Sequence, residues 1–365
     1  MAADGTGPPP RIRLVVLFGG VSAEHDVSCI TAAHVLRAVD EARYSVLPIG
    51  IRRDGQWVRA DDAMRLLSKG GPQALPDTLE PVGTGVDLMP TLTSDVVDEQ
   101  VVVLPLLHGP LGEDGTVQGL LEMADVAYVG AGVLGSAMCM DKAMAKVVLG
   151  AAGIPQVNHL AARDGEVDDD FLVRVVDELG LPVFVKPANL GSSVGISRAV
   201  DLGTLRKAVT GALAYDEWVV IEEAVTAREI EIGVLGNATP RISVPGEIVP
   251  SHDFYDYADK YLDGAARMVI PADLPVEVAE TISRLAAEAY SALRCDGMAR
   301  VDFFYEEHGR GVMLNEVNTI PGFTPWSMYP SLWEASGVSY SELINELVRH
   351  AIDRHAHRQG HGRAH

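Results

Sequence analysis

Residues 11–18 (RIRLVVLF) form a nearly continuous apolar run that stops at Gly19-Gly20, and no other feature limits the fold as much. A strand that apolar is buried on both faces, the condition of a strand inside a parallel sheet. Paired glycines let the chain leave it in a tight turn. The alternation continues downstream. Residues 28–39 carry helix-compatible apolar spacing, 44–51 read as a second strand, 96–107 contain a third, and 116–123 read as a helix. This strand–helix–strand order over residues 1–127 predicts an open parallel α/β domain that binds ligands at the carboxyl ends of its strands. The stretch 68–93, rich in Gly, Pro and polar residues, reads as a long surface loop.

Residues 128–222 read as a second unit. A helix-prone segment at 141–149 ends at Gly150 and Gly153-Ile154-Pro155, a helix at 168–179 closes at Gly180, and strands follow at 181–186 and 217–222. The third unit, 223–365, has strands near 228–235 and 244–250 and an irregular aromatic segment at 252–262. A helix at 275–293, strands near 298–305 and 312–317, and a closing helix at 339–354 complete it. The fold class is α/β, and α+β over the whole chain. From His355 onward the chain holds His355, His357, His361 and His365 without apolar period. That tail reads as a frayed end, with a metal site as the sharper alternative.

Composition excludes several classes. The net charge of -22 repels nucleic acid and anionic membranes. The longest apolar runs are too short to span a bilayer, and the start MAADGTGPPP has no targeting or lipidation motif. Cys29, Cys139 and Cys295 lack metal spacing and read as reduced, buried thiols of a cytoplasmic protein.

The chemistry concentrates in four places. The first is a hairpin, MARVDFFY at 298–305 and VMLNEVN at 312–318, around a turn near Gly309. Strand periodicity puts Arg300, Asp302 and Phe304 on one face, and Leu314, Glu316 and Asn318 on one face of the partner. With the turn centred near Gly309, Asp302 lies opposite Glu316 to within about a residue of register. Two carboxylates and an amide oxygen suit magnesium in a nucleotide site. The plainer reading is a solvated face with an Arg–Asp pair, which such apolar strands disfavour. The second is Lys186-Pro187 before the loop Gly191-Ser192-Ser193-Val194-Gly195, whose small residues let backbone amides wrap phosphate. It is not a Walker A motif. The third is Glu24 after Gly19-Gly20, either complementing a helix dipole or receiving a substrate ammonium, with His108 bordering the same crevice. The fourth is FYDYADKY at 254–261, a water-excluding lid or a packed loop.

Together these segments resemble the D-alanine–D-alanine ligases of the ATP-grasp superfamily. The resemblance runs from about residue 12 to 350 through GGVSAEHDVS, HGPLGEDGTVQG, MDKAMAK, KPANLGSSVGIS, REIEIGVLGN, FYDYADKY, ARVDFF and NEVNTIPGFTPWSM, in family order. It implies an ATP-grasp fold of three domains, with ATP gripped between the second and third. It also implies a cytoplasmic homodimer that joins two D-alanine molecules for peptidoglycan synthesis. By motif position, Lys142, Lys186, Glu222 and Glu229 bind the nucleotide, Glu229 at the ribose. The backbone near Glu223 and Val225 meets the adenine edge, Ser193 covers the phosphates with Ser192, and Lys260 reaches the γ-phosphate. Asp302, Glu316 and Asn318 hold two Mg2+ ions, for which Mn2+ can substitute. Arg300 and the Gly322 backbone stabilise the oxyanion. Glu24, linked through Ser192 and Tyr261, orients the first D-alanine's ammonium, and Ser327 with the Met328 backbone receives the second substrate's carboxylate. Tyr261, where D-alanine–D-lactate ligases depart from the pattern, favours an amine as second substrate. A dipeptide or depsipeptide ligase of antibiotic biosynthesis or resistance, and a non-catalytic nucleotide-binding protein, are the competing readings.

Overall fold

A computed structural model describes residues 11–92, 99–191, 194–249 and 267–362. Ser192, Ser193, Lys260, Tyr261 and the 252–262 lid lie outside the described residues.

The opening run forms β1 (Arg11–Gly19), parallel to β2 (Tyr44–Ile51) and to β4 (Glu99–Pro105). β3 (Trp57–Arg59) adds an antiparallel edge and β5 (Ala127–Tyr128) a parallel one, in the order β3-β2-β1-β4-β5. Leu14 through Phe18 are wholly buried, as a two-sided strand requires. Helices α1 (His25–Ala38), α2 (Asp61–Gly70), α3 (Leu88–Leu92) and α4 (Thr116–Met123) belong to this layer.

The 68–93 stretch is not the plain surface loop its composition predicts. α2 ends inside it, a single 3-10 turn covers Pro72–Ala74, and α3 closes it. Leu75 and Leu79 are buried in the α1 side of the core and Leu92 in the opposite side. Three leucines spaced among prolines anchor the segment, and burying each removes enough apolar surface to be worth about 2 kcal/mol.

Two helices, α5 (Val133–Met140) and α6 (Lys142–Ala151), lead to a four-stranded antiparallel sheet. Its strands are β6 (His159–Arg163), β7 (Val183–Pro187), β8 (Ser197–Ala199) and β9 (Trp218–Glu223), ordered β6-β9-β7-β8. α7 (Asp169–Leu179) and α8 (Leu202–Leu213) pack on it. Asp168 caps α7 through Phe171 N at 2.8 Å, and Gly180 ends it, where the local signals place both limits.

The third sheet holds β10 (Arg228–Gly236), β11 (Arg241–Ile242), β12 (Gly246–Val249), β13 (Arg267–Val269), β14 (Gly297–Glu306) and β15 (Gly311–Asn318). Its order is β13-β12-β10-β14-β15, with β11 on β10. α9 (Val276–Ala292) covers one face. α10 (Met328–Ala335) and α11 (Tyr340–Gly362) return the chain to the first sheet, where Leu343, Ile344, Leu347 and Val348 share a core with Leu14 and Val102.

The tail is also corrected. α11 does not fray at His355 but runs to Gly362. His355 Nε2 meets the Asp125 carbonyl at 3.1 Å, Gln359 reaches the Asp125 carboxylate at 3.1 Å, and Arg358 donates to Glu122 Oε2 at 2.7 Å. Partners more than two hundred residues away supply what local periodicity lacks.

Candidate active site

The carboxyl end of β1 makes the first wall. Gly19 has φ +86°, and a Cβ there would lie 2.3 Å from the Ile51 carbonyl oxygen, so only glycine fits the turn. Gly20 N donates to that same oxygen at 2.8 Å. Glu24 stands at the N-cap of α1, yet its side chain does not cap the helix. Its carboxylate faces two loops instead: Cβ atoms built on Gly109 and Gly191 would lie 3.5 and 3.6 Å from Glu24 Oε2. That orientation favours the ligand reading over the dipole reading. His108 lies beside it, its Nδ1 3.2 Å from Glu113 Oε1. Burial alone would lower the His108 pKa, but Glu113 and then Glu24 outweigh it and raise it.

The second wall is a lysine cluster. Asp141 caps α6 by accepting from Met144 N at 3.0 Å, which starts the helix at Lys142. Lys142 Nζ donates to the Leu190 carbonyl at 2.6 Å and so holds the glycine-rich loop. Burial lowers its pKa, and Glu316 opposes that from the third sheet. Asn189 fixes the loop's entry, its N donating to Asp216 Oδ2 at 2.6 Å. Lys186 on β7 meets Glu222 on β9 at 2.5 Å, and Lys146 on α6 meets the other Glu222 oxygen at 2.9 Å. Burial would raise the Glu222 pKa, but Lys146 and Lys186 hold it well below the usual carboxylate range. Lys186 is raised, burial again being outweighed by Glu222. The Glu222 carboxylate is therefore enclosed by two ammonium groups. Glu223 accepts from Asn158 N at 2.6 Å and from Arg310 at 2.5 Å, which pins the backbone leading to half-buried Val225.

The hairpin is the third wall. Asp302 pairs with Glu316 and Arg300 with Asn318, the register that strand parity predicts. A bulge follows, so Leu314 pairs with Phe303 rather than Phe304 and points into the α9 core with no exposure. The expectation that Leu314 shares the face of Glu316 and Asn318 is thus overturned: the extra residue at the bulge reverses the parity, and an aliphatic side chain takes the core. Leu314 N also donates to the Pro155 carbonyl at 2.8 Å, tying β15 to the middle unit.

Arg300 forks Asp302 with two bonds of 2.7 Å and reaches Glu231 at 3.0 Å. Burial works to lower its pKa, and Asp302, Glu231 and Glu316 hold it well above the ordinary value. Glu316 thus acts on Lys142, Lys186 and Arg300 alike, which joins the lysine wall to the hairpin, and Glu113 beside His108 acts on Lys142 from the first wall. Glu229 lies two residues before Glu231 on β10, opposite Phe304. Asn318 Oδ1 accepts from Ile320 N at 3.0 Å and turns the chain toward Gly322. A Cβ on Gly322 would come within 3.2 Å of Ser327 Oγ. Ser327 accepts from Thr324 N at 3.1 Å and occupies the N-cap of α10, whose first residue is Met328.

Among the described residues, no three His, Cys, Asp or Glu side chains form a ready metal cluster. A hard divalent cation nevertheless fits the hairpin. Asp302 and Glu316 face each other in register, Asn318 adds an amide oxygen, and both Asp302 oxygens are paired with the Arg300 guanidinium.

Lys146 and Glu231 escape the sequence reading. Lys146 lies four residues after Lys142 on the same helical face, and Glu231 shares strand parity with Glu229, so both carried a usable signal. The three cysteines are free and buried, as expected.

Two family models match the chain: D-ala D-ala ligase N-terminus over residues 13–131, and D-ala D-ala ligase C-terminus over 148–349. A protein of Paenarthrobacter aurescens named D-alanine–D-alanine ligase is 48% identical over 374 residues, covering 97% of this chain and 99% of its own. The D-alanine–D-alanine ligase structure from Coxiella burnetii aligns with a TM-score of 0.82 and 35% identity, over 97% of each chain. That from Bacillus anthracis, complexed with ATP, aligns at 0.72 and 27%, over 95% of this chain and 99% of that one. The two antiparallel sheets, one of which carries Lys186 and Glu222, are the halves of an ATP-grasp fold. The chain belongs to the D-alanine–D-alanine ligase family.

Proposed function

We propose that these walls act as one machine for joining two D-alanine molecules at the expense of ATP. The product dipeptide serves peptidoglycan synthesis. The observation that carries the reading is the lysine cluster of Lys142, Lys186 and Glu222 tied through the Leu314–Pro155 bond to the hairpin that pairs Asp302 with Glu316, whose charge acts on both lysines.

The carboxylate of the first D-alanine attacks the γ-phosphoryl group, giving D-alanyl phosphate and ADP. Lys142 and Lys186 neutralise phosphate charge, and Glu222 with Lys146 holds Lys186 in place. Glu229, the backbone at Glu223 and Val225, and the loop with Ser192 and Ser193 hold the rest of the nucleotide, with Lys260 at the γ-phosphate. Asp302, Glu316 and Asn318 would hold Mg2+, or Mn2+ in its stead, which when bound offsets negative charge during phosphoryl transfer. Glu24 orients the ammonium of the first substrate with Ser192, Tyr261 and His108 about it. The amine of the second D-alanine, its carboxylate at Ser327 and the N-terminus of α10, attacks the acyl carbon. Arg300 and the Gly322 backbone stabilise the oxyanion, and phosphate leaves.

The working unit is a homodimer in the cytoplasm, without nucleic-acid or membrane partners. The net charge of -22 disfavours nucleic-acid and anionic-membrane partners, and among the described residues no helix is long and apolar enough to cross a membrane. The test is phosphate release from ATP with product identification across D-alanine, D-serine and D-lactate. D-alanyl-D-alanine is the expected product, and exclusive D-alanyl-D-lactate at neutral pH would overturn the choice of nucleophile.

A further inference from the structure

His357 and His361 stand one turn apart on the exposed end of α11, beyond the residues matched by the C-terminal family model. Their Nε2 atoms are 3.2 Å apart, with ring centroids 4.6 Å apart and ring planes at 82°. Two imidazole nitrogens that each sit about 2.0–2.1 Å from one ion at a near-tetrahedral angle are roughly 3.3 Å from each other. The pair already holds the spacing of two ligands on one ion, and the helical four-residue interval supplies it. Imidazole selects zinc, copper and nickel, whereas magnesium and calcium prefer oxygen. The net charge of -22 draws dications toward the surface. Among the described residues no third His, Cys, Asp or Glu completes a cluster, so the protein offers two ligands there.

We propose that His357 and His361 form a two-histidine clamp for a divalent transition-metal ion of the zinc or nickel type. The same two turns carry His355 and Gln359 to Asp125, and Arg358 to Glu122. An ion on the clamp stabilises the helical form of those turns, and with it the strap from α11 to the first sheet.

The test titrates Ni2+ into the untagged full chain by isothermal calorimetry, in excess Mg2+ to occupy the oxygen sites. H357Q and H361Q are measured alongside. One saturable Ni2+ per chain is expected for the native protein and is lost in each variant. Ni2+ raises the thermal midpoint of the native protein alone, while all three proteins share one metal-free midpoint and one ligase activity. Absence of saturable binding in the native chain, or its survival in either variant, overturns the clamp.

Discussion

Glu222→Gln removes the one negative charge between two buried ammonium groups. The Glu222 oxygens lie 2.5 Å from Lys186 and 2.9 Å from Lys146, and the three side chains are at most 12% exposed. At an effective dielectric of about 20, each contact supplies roughly 6 kcal/mol of gross attraction. Desolvating three ions takes most of that back, so the intact trio contributes little net stability. The broken trio is different. Glutamine leaves Lys146 and Lys186 without the carboxylate they both contact, with Glu316 and Glu229 still acting on Lys186, and losing one partner of such a buried set costs about 3–5 kcal/mol. Urea unfolding followed by circular dichroism measures this as a lower midpoint, and nucleotide affinity falls because Lys186 loses its anchor. Lys146→Met in the same background removes one of the stranded charges. The double variant should therefore recover about 1–3 kcal/mol of what Glu222→Gln loses. pH gives an independent readout. The folded pKa of Glu222 lies below its unfolded value, burial being outweighed by Lys146 and Lys186. Its stabilisation is thus fully present above the unfolded value of about 4.3 and is lost as pH falls through the folded one. The native midpoint carries that acid-side component and Glu222→Gln does not. A Glu222→Gln midpoint equivalent to within about 0.5 kcal/mol of native, or strict additivity with Lys146→Met, would refute the electrostatic unit.

Three further outcomes are expected. Asp302→Ala and Glu316→Ala each abolish phosphate release from ATP with D-alanine while circular dichroism stays native; near-normal turnover in both would sink the metal assignment. Glu24→Gln raises KM for D-alanine about 10–100-fold, the worth of one charged hydrogen bond, with ATP affinity little changed by calorimetry. Arg354→Ala removes a buried guanidinium that donates to the Gly130 carbonyl and, at 2.9 Å, to the Tyr128 carbonyl, and stacks 4.3 Å over the Tyr128 ring. It lowers stability by about 3 kcal/mol in thermal unfolding; an unchanged midpoint would mean that α11 is not latched to the first sheet there.

Much of the site was legible because its signals are local. The Asp302–Glu316 register follows from a turn at Gly309 and a period of two. Helix limits at Asp168 and Gly180 follow from cap chemistry within a few residues. Glu24 was legible as a position but not as a direction. Only the structure shows its carboxylate turned toward Gly109 and Gly191 while its own helix end takes no cap from it.

By itself, the sequence determined the alternation of strands and helices, the parallel first sheet and the carboxylate pair of the hairpin. Each depends on residues near one another in the chain, where side-chain period and turn chemistry are decisive. The tertiary structure alone decided which buried charges meet. Lys146, Lys186 and Glu222 converge from a helix and two strands, Glu231 joins Arg300 across β10 and β14, and Asp125 with Glu122 carries α11 past His355. Periodicity tells a residue whether to face inward. It holds no information about which distant charge will be waiting there, because that depends on how separately formed sheets and helices pack.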